Sequence, residues 1–167
     1  MGKVALVSGG AGAMGAAIAR RFAESGASVV VADLKLSEAE AVAGRLVEEG
    51  GVAAAVKLDV TDESSWLEAV AAAQKLGPLD VLVNNAGVVS PESQDFWETQ
   101  LGEWRRIMAV NLDGAFLGTK VAINAMRPAG TGSIINIASI ASFFGTAKSG
   151  AYSASKAGVI ALTKSLG

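Results

Sequence analysis

The chain of 167 residues contains no cysteine and no histidine. Without cysteine there is no disulfide, zinc thiolate or thiol nucleophile, so redox chemistry gives no information about the compartment. Without histidine there is no Ser-His-Asp triad, no imidazole base and no histidine-liganded metal. Any catalytic chemistry must therefore use tyrosine, lysine, serine, asparagine or carboxylates.

Excess positive charge and long apolar runs are also missing. The chain has 14 Lys and Arg against 16 Asp and Glu, a net charge of −2, which argues against a nucleic-acid-binding protein. No apolar run approaches the ~18–20 residues of a membrane span, and the four apolar residues at 4–7 are too few for the core of a signal peptide, which needs about 7–15. We expect a cytoplasmic protein that binds neither nucleic acid nor a membrane.

Short apolar runs alternate with longer helical patterns. Five runs are predicted strands, at residues 4–7, 29–32, 52–58, 79–83 and 134–137. Five patterns are predicted helices, at residues 16–25, 37–49, 61–76, 99–126 and 150–166. Ser37 with Glu40 has the spacing of a capping box, and Thr61 is a candidate N-cap. Strict alternation requires right-handed crossovers, so we expect one α/β domain over residues 1–167 with a doubly wound parallel sheet.

A glycine-rich turn follows the first strand. Gly10, Gly12 and Gly15 fit the G-x-G-x-x-G pattern of dinucleotide-binding turns, in which the helix N-terminus faces a pyrophosphate. Asp33 ends the second strand, 18 residues beyond Gly15, where a carboxylate binds the ribose of NAD and repels the 2′-phosphate of NADP. Lys35 weakens this preference. The alternative role for Asp33 is to cap a turn. The alternative protein class is a methyltransferase that binds S-adenosylmethionine, which has the same two features.

A possible catalytic pair lies near the other end of the chain. Tyr152, the only tyrosine, and Lys156 are spaced i, i+4 on one helix face. A nearby ammonium stabilises a phenolate and lets tyrosine act as a base closer to neutral pH. Ser139 follows the fifth strand at the carboxyl edge of the sheet, where ligands bind in such folds. Five apolar residues in the loops at this edge form either a wall for the substrate or ordinary loop packing: Val88, Val89, Trp97, Phe143 and Phe144.

Several motifs together resemble one family. Its pattern is matched by Leu58-Asp59-Val60, Asn84-Asn85-Ala86-Gly87, Ser139 and Tyr152-Ser153-Ala154-Ser155-Lys156. In order and spacing these resemble the short-chain dehydrogenase/reductase family, over residues 3–167, and look closest to members that oxidise cyclic and steroid secondary alcohols. The resemblance implies a Rossmann-type sheet of strand order 3-2-1-4-5 and an NAD-dependent oxidoreductase that interconverts a secondary alcohol and a ketone. It leaves little support for the methyltransferase.

The resemblance also implies roles for single residues. Tyr152 would be the general acid/base, Lys156 would lower its pKa and hold the nicotinamide ribose, and Ser139 would bind the substrate oxygen. Asn111 would bend its helix to hold a water that extends the proton relay; a buried asparagine bonded to backbone is the alternative. No metal is expected. NAD, with NADP less favoured, would be held by Gly9, Gly12, Met14, Gly15, Asp33, Asp59, Val60, Asn85, Tyr152 and Lys156.

The sequence departs from the family pattern in two respects. Ser8 replaces the threonine of the glycine turn, and Ala13 stands at its middle glycine, where a methyl group would crowd the pyrophosphate. The last two family strands have no counterpart, so the domain is expected to be incomplete at its C-terminus and the fifth strand to be an exposed edge. A nucleotide-binding fragment without turnover is therefore the alternative to an active enzyme.

The resemblance implies a homo-oligomer. In the family, the long helix with Asn111 and the Tyr152 helix pair with their copies across a two-fold axis. Six residues give the long helix more apolar surface than one sheet face needs, which favours such pairing: Ile107, Val110, Ala115, Phe116, Ala122 and Ile123. We expect a marginally stable monomer that dimerises or aggregates.

Overall fold

The computed structural model describes residues 2–89, 95–145 and 148–166. Its strands form one parallel sheet in the order β3-β2-β1-β4-β5, which confirms the predicted topology. The strands are β1 (Val4–Ser8), β2 (Ser28–Asp33), β3 (Val52–Lys57), β4 (Leu79–Asn84) and β5 (Ser133–Asn136).

Helices cover both faces of this sheet. The α-helices are α1 (Ala13–Glu24), α2 (Leu36–Glu48), α3 (Glu63–Gln74), α4 (Leu101–Met108), α5 (Gly114–Met126), α6 (Ala141–Phe144) and α7 (Gly150–Lys164). Single turns of other types are the 3₁₀ segments Phe96–Glu98 and Arg127–Ala129 and the π segment Ala109–Asp113. Among the described residues no helix has both the length and the apolar character needed to cross a bilayer.

The core lies on both faces of the central strands. Leu6 of β1 pairs in register with Val30 of β2 and Leu82 of β4, and all three are fully buried. Trp66 of α3 is the largest fully buried side chain, and its Nε1 donates to the Val60 carbonyl oxygen at 3.0 Å. Because its N–H group is hydrogen-bonded, the Trp66 ring is buried without leaving an unpaired polar atom.

Two predicted helix caps are wrong. Helix α2 begins one residue before Ser37, and its N-cap Lys35 makes no side-chain capping bond. Helix α3 is capped by Asp62, whose carboxylate accepts the amides two and three residues further on. The Thr61 hydroxyl instead donates to Asp59 Oδ1 at 2.7 Å. A carboxylate accepts these amides more strongly than a hydroxyl does, so the cap at Asp62 is a strong one.

The predicted helix at residues 99–126 is interrupted. Helices α4 and α5 are joined by the π segment Ala109–Asp113, with the buried Asn111 at its centre. The extra residue in this wider turn changes the direction in which the following side chains point. The helix is therefore irregular at Asn111, and the water that Asn111 was expected to hold stays a prediction.

Half of the six apolar residues expected to pair the long helix with another copy are buried inside the chain. Ile107, Ala115 and Ala122 are buried in the core, so the prediction of surplus surface is wrong for them. Phe116 is 48% exposed. Ala122 lies in the core cluster that contains Trp66, whereas Ile107 belongs to α4, which packs against α7. Oligomerisation stays a prediction.

Strand β5 lies at one edge of the sheet, as predicted. It pairs with β4 through registers such as Leu82 with Ile134. Ile134 is half-buried, whereas Ile135 is 40% exposed. Alternate side chains of β5 thus contact the core, and the others face outward.

Candidate functional site

A cleft opens at the carboxyl ends of the strands, between the N-terminal turns of α1 and α7. Its volume is about 480 Å³, within the range of roughly 300–1,000 Å³ usual for small-molecule sites. Nine of the twelve predicted site residues line it: Gly9, Gly12, Met14, Gly15, Asp33, Asn85, Ser139, Tyr152 and Lys156. The fold thus brings the two halves of the predicted site, far apart in sequence, to one cavity.

The glycine turn depends on the absence of side chains. Gly9 has a φ of +61°, and a Cβ there would lie 2.8 Å from the Ala86 Cα. A Cβ on Gly15 would collide with the Gly9 carbonyl oxygen. Gly12 is the N-cap of α1 and supplies no capping side chain, so the first-turn amides of α1 are left to bind an anion in the cleft.

Ala13, at the position of the family's middle glycine, is the first residue of α1. Its side chain is exposed and lines the cleft. The extra methyl group therefore narrows the cavity without disturbing the core.

Ser8 and Asn85 hold the glycine turn against the end of β4. Ser8 Oγ accepts the amides of Asn85 and Ala86 at 3.1 and 3.2 Å and donates to the Val83 carbonyl oxygen. Asn85 Nδ2 donates to the carbonyl oxygens of Ser8 and Gly9 at 2.9 and 3.1 Å. The Asn85 amide is thus committed to shaping the turn, and a serine hydroxyl suffices where the family has threonine.

Asp33 lies on the cleft wall, and backbone amides occupy both of its oxygens. Oδ2 accepts the amide of Ala11 at 3.1 Å, and Oδ1 accepts the amide of Lys35 at 3.1 Å. Asp33 therefore caps the turn, as the alternative interpretation held, and also lines the cleft. The carboxylate couples the glycine turn to the start of α2.

Asp59 and Val60 lie outside the cleft lining. Asp59 Oδ1 accepts the amide and hydroxyl of Thr61 at 2.9 and 2.7 Å. Val60 is buried, and a Cβ added to Gly114 would come within 3.0 Å of its side chain. Both residues thus shape the turn after β3, and their predicted contact with adenine stays a prediction.

Helix α7 carries Tyr152 and Lys156 on the face toward the cleft. Tyr152 is half-buried, whereas Lys156 is only 4% exposed. Lys156 Nζ donates to the Ile137 carbonyl oxygen, just beyond β5, at 2.7 Å. Burial lowers the pKa of Lys156 below its ordinary value, because removal from water penalises the ammonium form.

Asn111 connects three segments through its buried amide. Its Oδ1 accepts the Val88 amide at 2.8 Å, and its Nδ2 donates to the Val88 carbonyl oxygen at 2.9 Å and to Ser155 Oγ at 3.0 Å. Ser155 Oγ in turn donates to the Tyr152 carbonyl oxygen at 2.7 Å. The backbone-bonded alternative for Asn111 is thus observed, and the sequence reasoning had missed Ser155 as its partner.

A small internal cavity lies next to this network. Its volume is about 10 Å³, and its lining includes Asn84, Asn111 and Lys156. A polar cavity of this size accommodates about one water molecule. Asn84 Oδ1, which is buried, has no hydrogen-bond partner among the described residues.

Ser139 lines the cleft, and its Oγ accepts the Ala141 amide at 3.2 Å. The hydroxyl hydrogen remains available to donate into the cavity. Of the side chains considered as an apolar wall, Val89 lines the cleft. Trp97, Phe143 and Phe144 are 81%, 68% and 79% exposed, and the two phenylalanines lie in α6 and not in a loop.

The described part of the chain contains no cluster of three or more acidic groups that would hold a metal ion. The chemistry available in the cleft comes from the phenol of Tyr152, the amine of Lys156, the hydroxyl of Ser139, the carboxylate of Asp33 and the first-turn amides of α1. These groups can bind a phosphate-containing ligand at one end and exchange a proton with a substrate oxygen at the other.

Comparison with known proteins gives three informative relatives. The chain is 45% identical over 164 residues to the 2,5-dichloro-2,5-cyclohexadiene-1,4-diol dehydrogenase of Sphingobium indicum (98% of this chain, 65% of that protein). It is 46% identical over 166 residues to the 3-alpha-(or 20-beta)-hydroxysteroid dehydrogenase of Mycobacterium tuberculosis (99% and 62%). It is 40% identical over 170 residues to the NADP-dependent (R)-specific alcohol dehydrogenase of Lentilactobacillus kefiri (98% and 65%).

The chain therefore spans slightly less than two thirds of the length of these relatives. A family model described as short chain dehydrogenase matches residues 3–167. The match covers the glycine turn, the Tyr152 helix and every strand described above. With this match and identities of 40–46%, the chain belongs to the short-chain dehydrogenase/reductase family.

Proposed function

We propose that the protein is an NAD-dependent oxidoreductase that interconverts a secondary alcohol and a ketone. The observation that carries the proposal is the single cleft that contains the glycine turn, Ser139, Tyr152 and Lys156. Two relatives are named as dehydrogenases of a cyclohexadiene diol and of hydroxysteroids. By analogy we assign cyclic secondary alcohols as the substrate class of this chain.

The nucleotide end fits a dinucleotide. Side chains at Gly9 and Gly15 would fill the turn, and the uncapped first turn of α1 offers amides to a pyrophosphate. Asp33 would bind the adenosine ribose and repel a 2′-phosphate, which favours NAD. The relative from Lentilactobacillus kefiri is NADP-dependent, so the preference rests on Asp33 and not on the family.

The catalytic end supplies proton transfer. When bound, the nicotinamide ring supplies the acceptor for the hydride that leaves the substrate carbon. Tyr152 takes the hydroxyl proton of the alcohol as the carbonyl forms, while Ser139 donates a hydrogen bond to the same oxygen. Lys156, one helical turn further along α7, would hold the nicotinamide ribose, which leaves Tyr152 as the general base. Such general base catalysis typically accelerates a reaction ~100- to 10,000-fold.

We assign the proton relay to Lys156 and the small cavity beside it. The cavity takes about one water and is lined by both Asn111 and Lys156. In this scheme Lys156 Nζ gives one of its protons to a water in the cavity, which passes a proton on to solvent, and Tyr152 then returns to Nζ the proton taken from the alcohol. Asn111 shapes the cavity through its place in the π segment.

The second candidate is a dinucleotide-binding protein without turnover. It is favoured by the high exposure of Trp97, Phe143 and Phe144, the side chains expected to form an apolar wall for the substrate. Apolar rings that would exclude water from a bound substrate are largely solvent-accessible here. Exclusion of water strengthens the electrostatic interactions on which catalysis depends.

The test combines binding and turnover. NAD binding is measured by calorimetry, and NADH production is followed with a panel of cyclic secondary alcohols. Tyr152→Phe should lower the rate ~100- to 10,000-fold and leave NAD affinity unchanged, because only the proton carrier is lost. Ser153→Ala, which removes a hydroxyl one residue further along α7, is the matched control and should retain the rate.

Each outcome separates the hypotheses. NAD binding without NADH production would favour the second candidate. Turnover in Tyr152→Phe within tenfold of the unsubstituted protein would contradict the role of Tyr152. Failure of the unsubstituted protein to bind NAD would contradict both candidates.

A further inference from the structure

Asp33 is next to a lysine whose charge is already paired. The amide of Lys35 donates to Asp33 Oδ1 at 3.1 Å, and its side-chain Nζ donates to Glu38 Oε1 at 2.8 Å. The hydrogen bond and charge of Glu38 raise the pKa of Lys35, and the charge of Asp33 contributes in the same direction. The Lys35 ammonium thus interacts with the charge of Asp33 but makes its hydrogen bond to Glu38.

We propose that Glu38 is a specificity-determining residue for the dinucleotide, because its ion pair with Lys35 withholds a cation that would otherwise bind the 2′-phosphate of NADP. The inference rests on the proposed function, since it assumes that the ribose lies beside Asp33. It assigns the cofactor preference to a triad of charges and not to Asp33 alone.

The charges support this assignment. Asp33, Lys35 and Glu38 together carry one net negative charge beside the end of β2. Loss of the Glu38 charge makes the group neutral and leaves the ammonium free to turn toward the cleft. An ammonium on a flexible stem is an effective point-charge partner for phosphate.

The ion pair between Lys35 and Glu38 is weak, so a single substitution can break it without unfolding the chain. Its side chains are 68% and 54% exposed, and exposed pairs are stabilised little because water screens them. Breaking the pair should therefore change NADP affinity moderately, about two- to fivefold, and leave the fold intact. NAD has no 2′-phosphate, so its affinity should change less than about twofold.

A second lysine offers an alternative source of any gain. Lys57 of β3 is in register with Asp33 and is exposed. A third explanation is that loss of the Glu38 charge reduces the repulsion between the protein and the 2′-phosphate, with no part played by Lys35. A test in two backgrounds, with and without the Lys35 ammonium, separates these explanations.

The experiment titrates the full 167-residue chain with NAD and with NADP by calorimetry. Glu38→Gln keeps the side-chain shape and removes the charge. Glu40→Gln is the matched control, because Glu40 is exposed on the same helix two residues on. Lys35→Met and the double variant Lys35→Met/Glu38→Gln complete the set, with circular dichroism to verify folding.

Glu38→Gln should raise NADP affinity about two- to fivefold, and Glu40→Gln should not. The gain should vanish when Glu38→Gln is made in the Lys35→Met background. No gain, an equal gain in Glu40→Gln, or a gain that persists without Lys35 would overturn the inference. If the unsubstituted chain bound neither dinucleotide, the proposed function would fail as well, which is a distinguishable result.

Discussion

The Asn111 amide connects three segments of the site, and its loss should measurably destabilise the fold. It is 1% exposed, and it joins the loop after β4, the π segment and α7 through hydrogen bonds to Val88 and Ser155. Asn111→Ala removes all of these bonds at once. The surrounding groups then lose partners that water can replace only in part.

The expected loss follows from counting those groups. Both the amide and the carbonyl of Val88 lose a partner, and each buried polar group left unpaired costs ~1–3 kcal/mol. Val88 is half-buried, so the lower part of that range applies to each group. Ser155 keeps its own bond to the Tyr152 carbonyl. We expect Asn111→Ala to lower the free energy of unfolding by about 2–4 kcal/mol.

Urea denaturation followed by tryptophan fluorescence measures this quantity. The matched control is Asn124→Ala, at an exposed position of α5, where alanine has the better helix propensity. That variant should change the free energy of unfolding by less than about 0.7 kcal/mol. If Asn111→Ala were no less stable than Asn124→Ala, the proposed connecting role would be refuted.

Two further predictions concern packing and pH. Gly118→Ala would put a Cβ 2.5 Å from Asn84 Oδ1 and 2.6 Å from the Trp66 ring, so it should destabilise by ~1–3 kcal/mol. Gly44→Ala would place a Cβ that meets no atom within 4 Å, so it should stabilise α2 by roughly 0.5–1 kcal/mol. If thermal denaturation showed the same change in melting temperature for Gly118→Ala and Gly44→Ala, both predictions would be contradicted. Burial lowers the pKa of Lys156 below its ordinary value of 10.5. Between the lowered pKa and 10.5 the unfolded chain therefore binds more protons than the folded chain. The free energy of unfolding should rise with pH across that window. Urea titrations across that window should show this rise in the unsubstituted protein but not in Lys156→Met; parallel pH profiles would exclude Lys156 as its source.

The strand predictions succeeded because their signal is local. The run at residues 4–7 became Val4–Ser8, and the run at residues 79–83 became Leu79–Asn84. Continuous aliphatic runs are needed wherever a parallel strand is covered on both faces, so pattern and burial correspond. The alternation with helices then restricted the topology to very few arrangements.

The helix caps failed because several local donors and acceptors compete. Thr61 and Asp62 are adjacent, and both side chains can accept an amide. Backbone geometry at the end of β3 assigned the cap to Asp62, and Asp59 took the Thr61 hydroxyl. No sequence pattern distinguishes these outcomes, because they differ by small changes in dihedral angles.

The sequence by itself determined the glycine turn, Asp33, Ser139 and the Tyr152–Lys156 pair, because each depends on residue type at a short spacing. The connections among them required the folded chain. Asn111 finds Val88 across 23 residues and Ser155 across 44, and the Asn85 amide reaches back to Gly9 across 76. A hydrogen bond tolerates a variation of only a few tenths of an ångström in the distance between its donor and acceptor. Packing of the sheet and helices sets this distance for groups on segments that are remote in sequence.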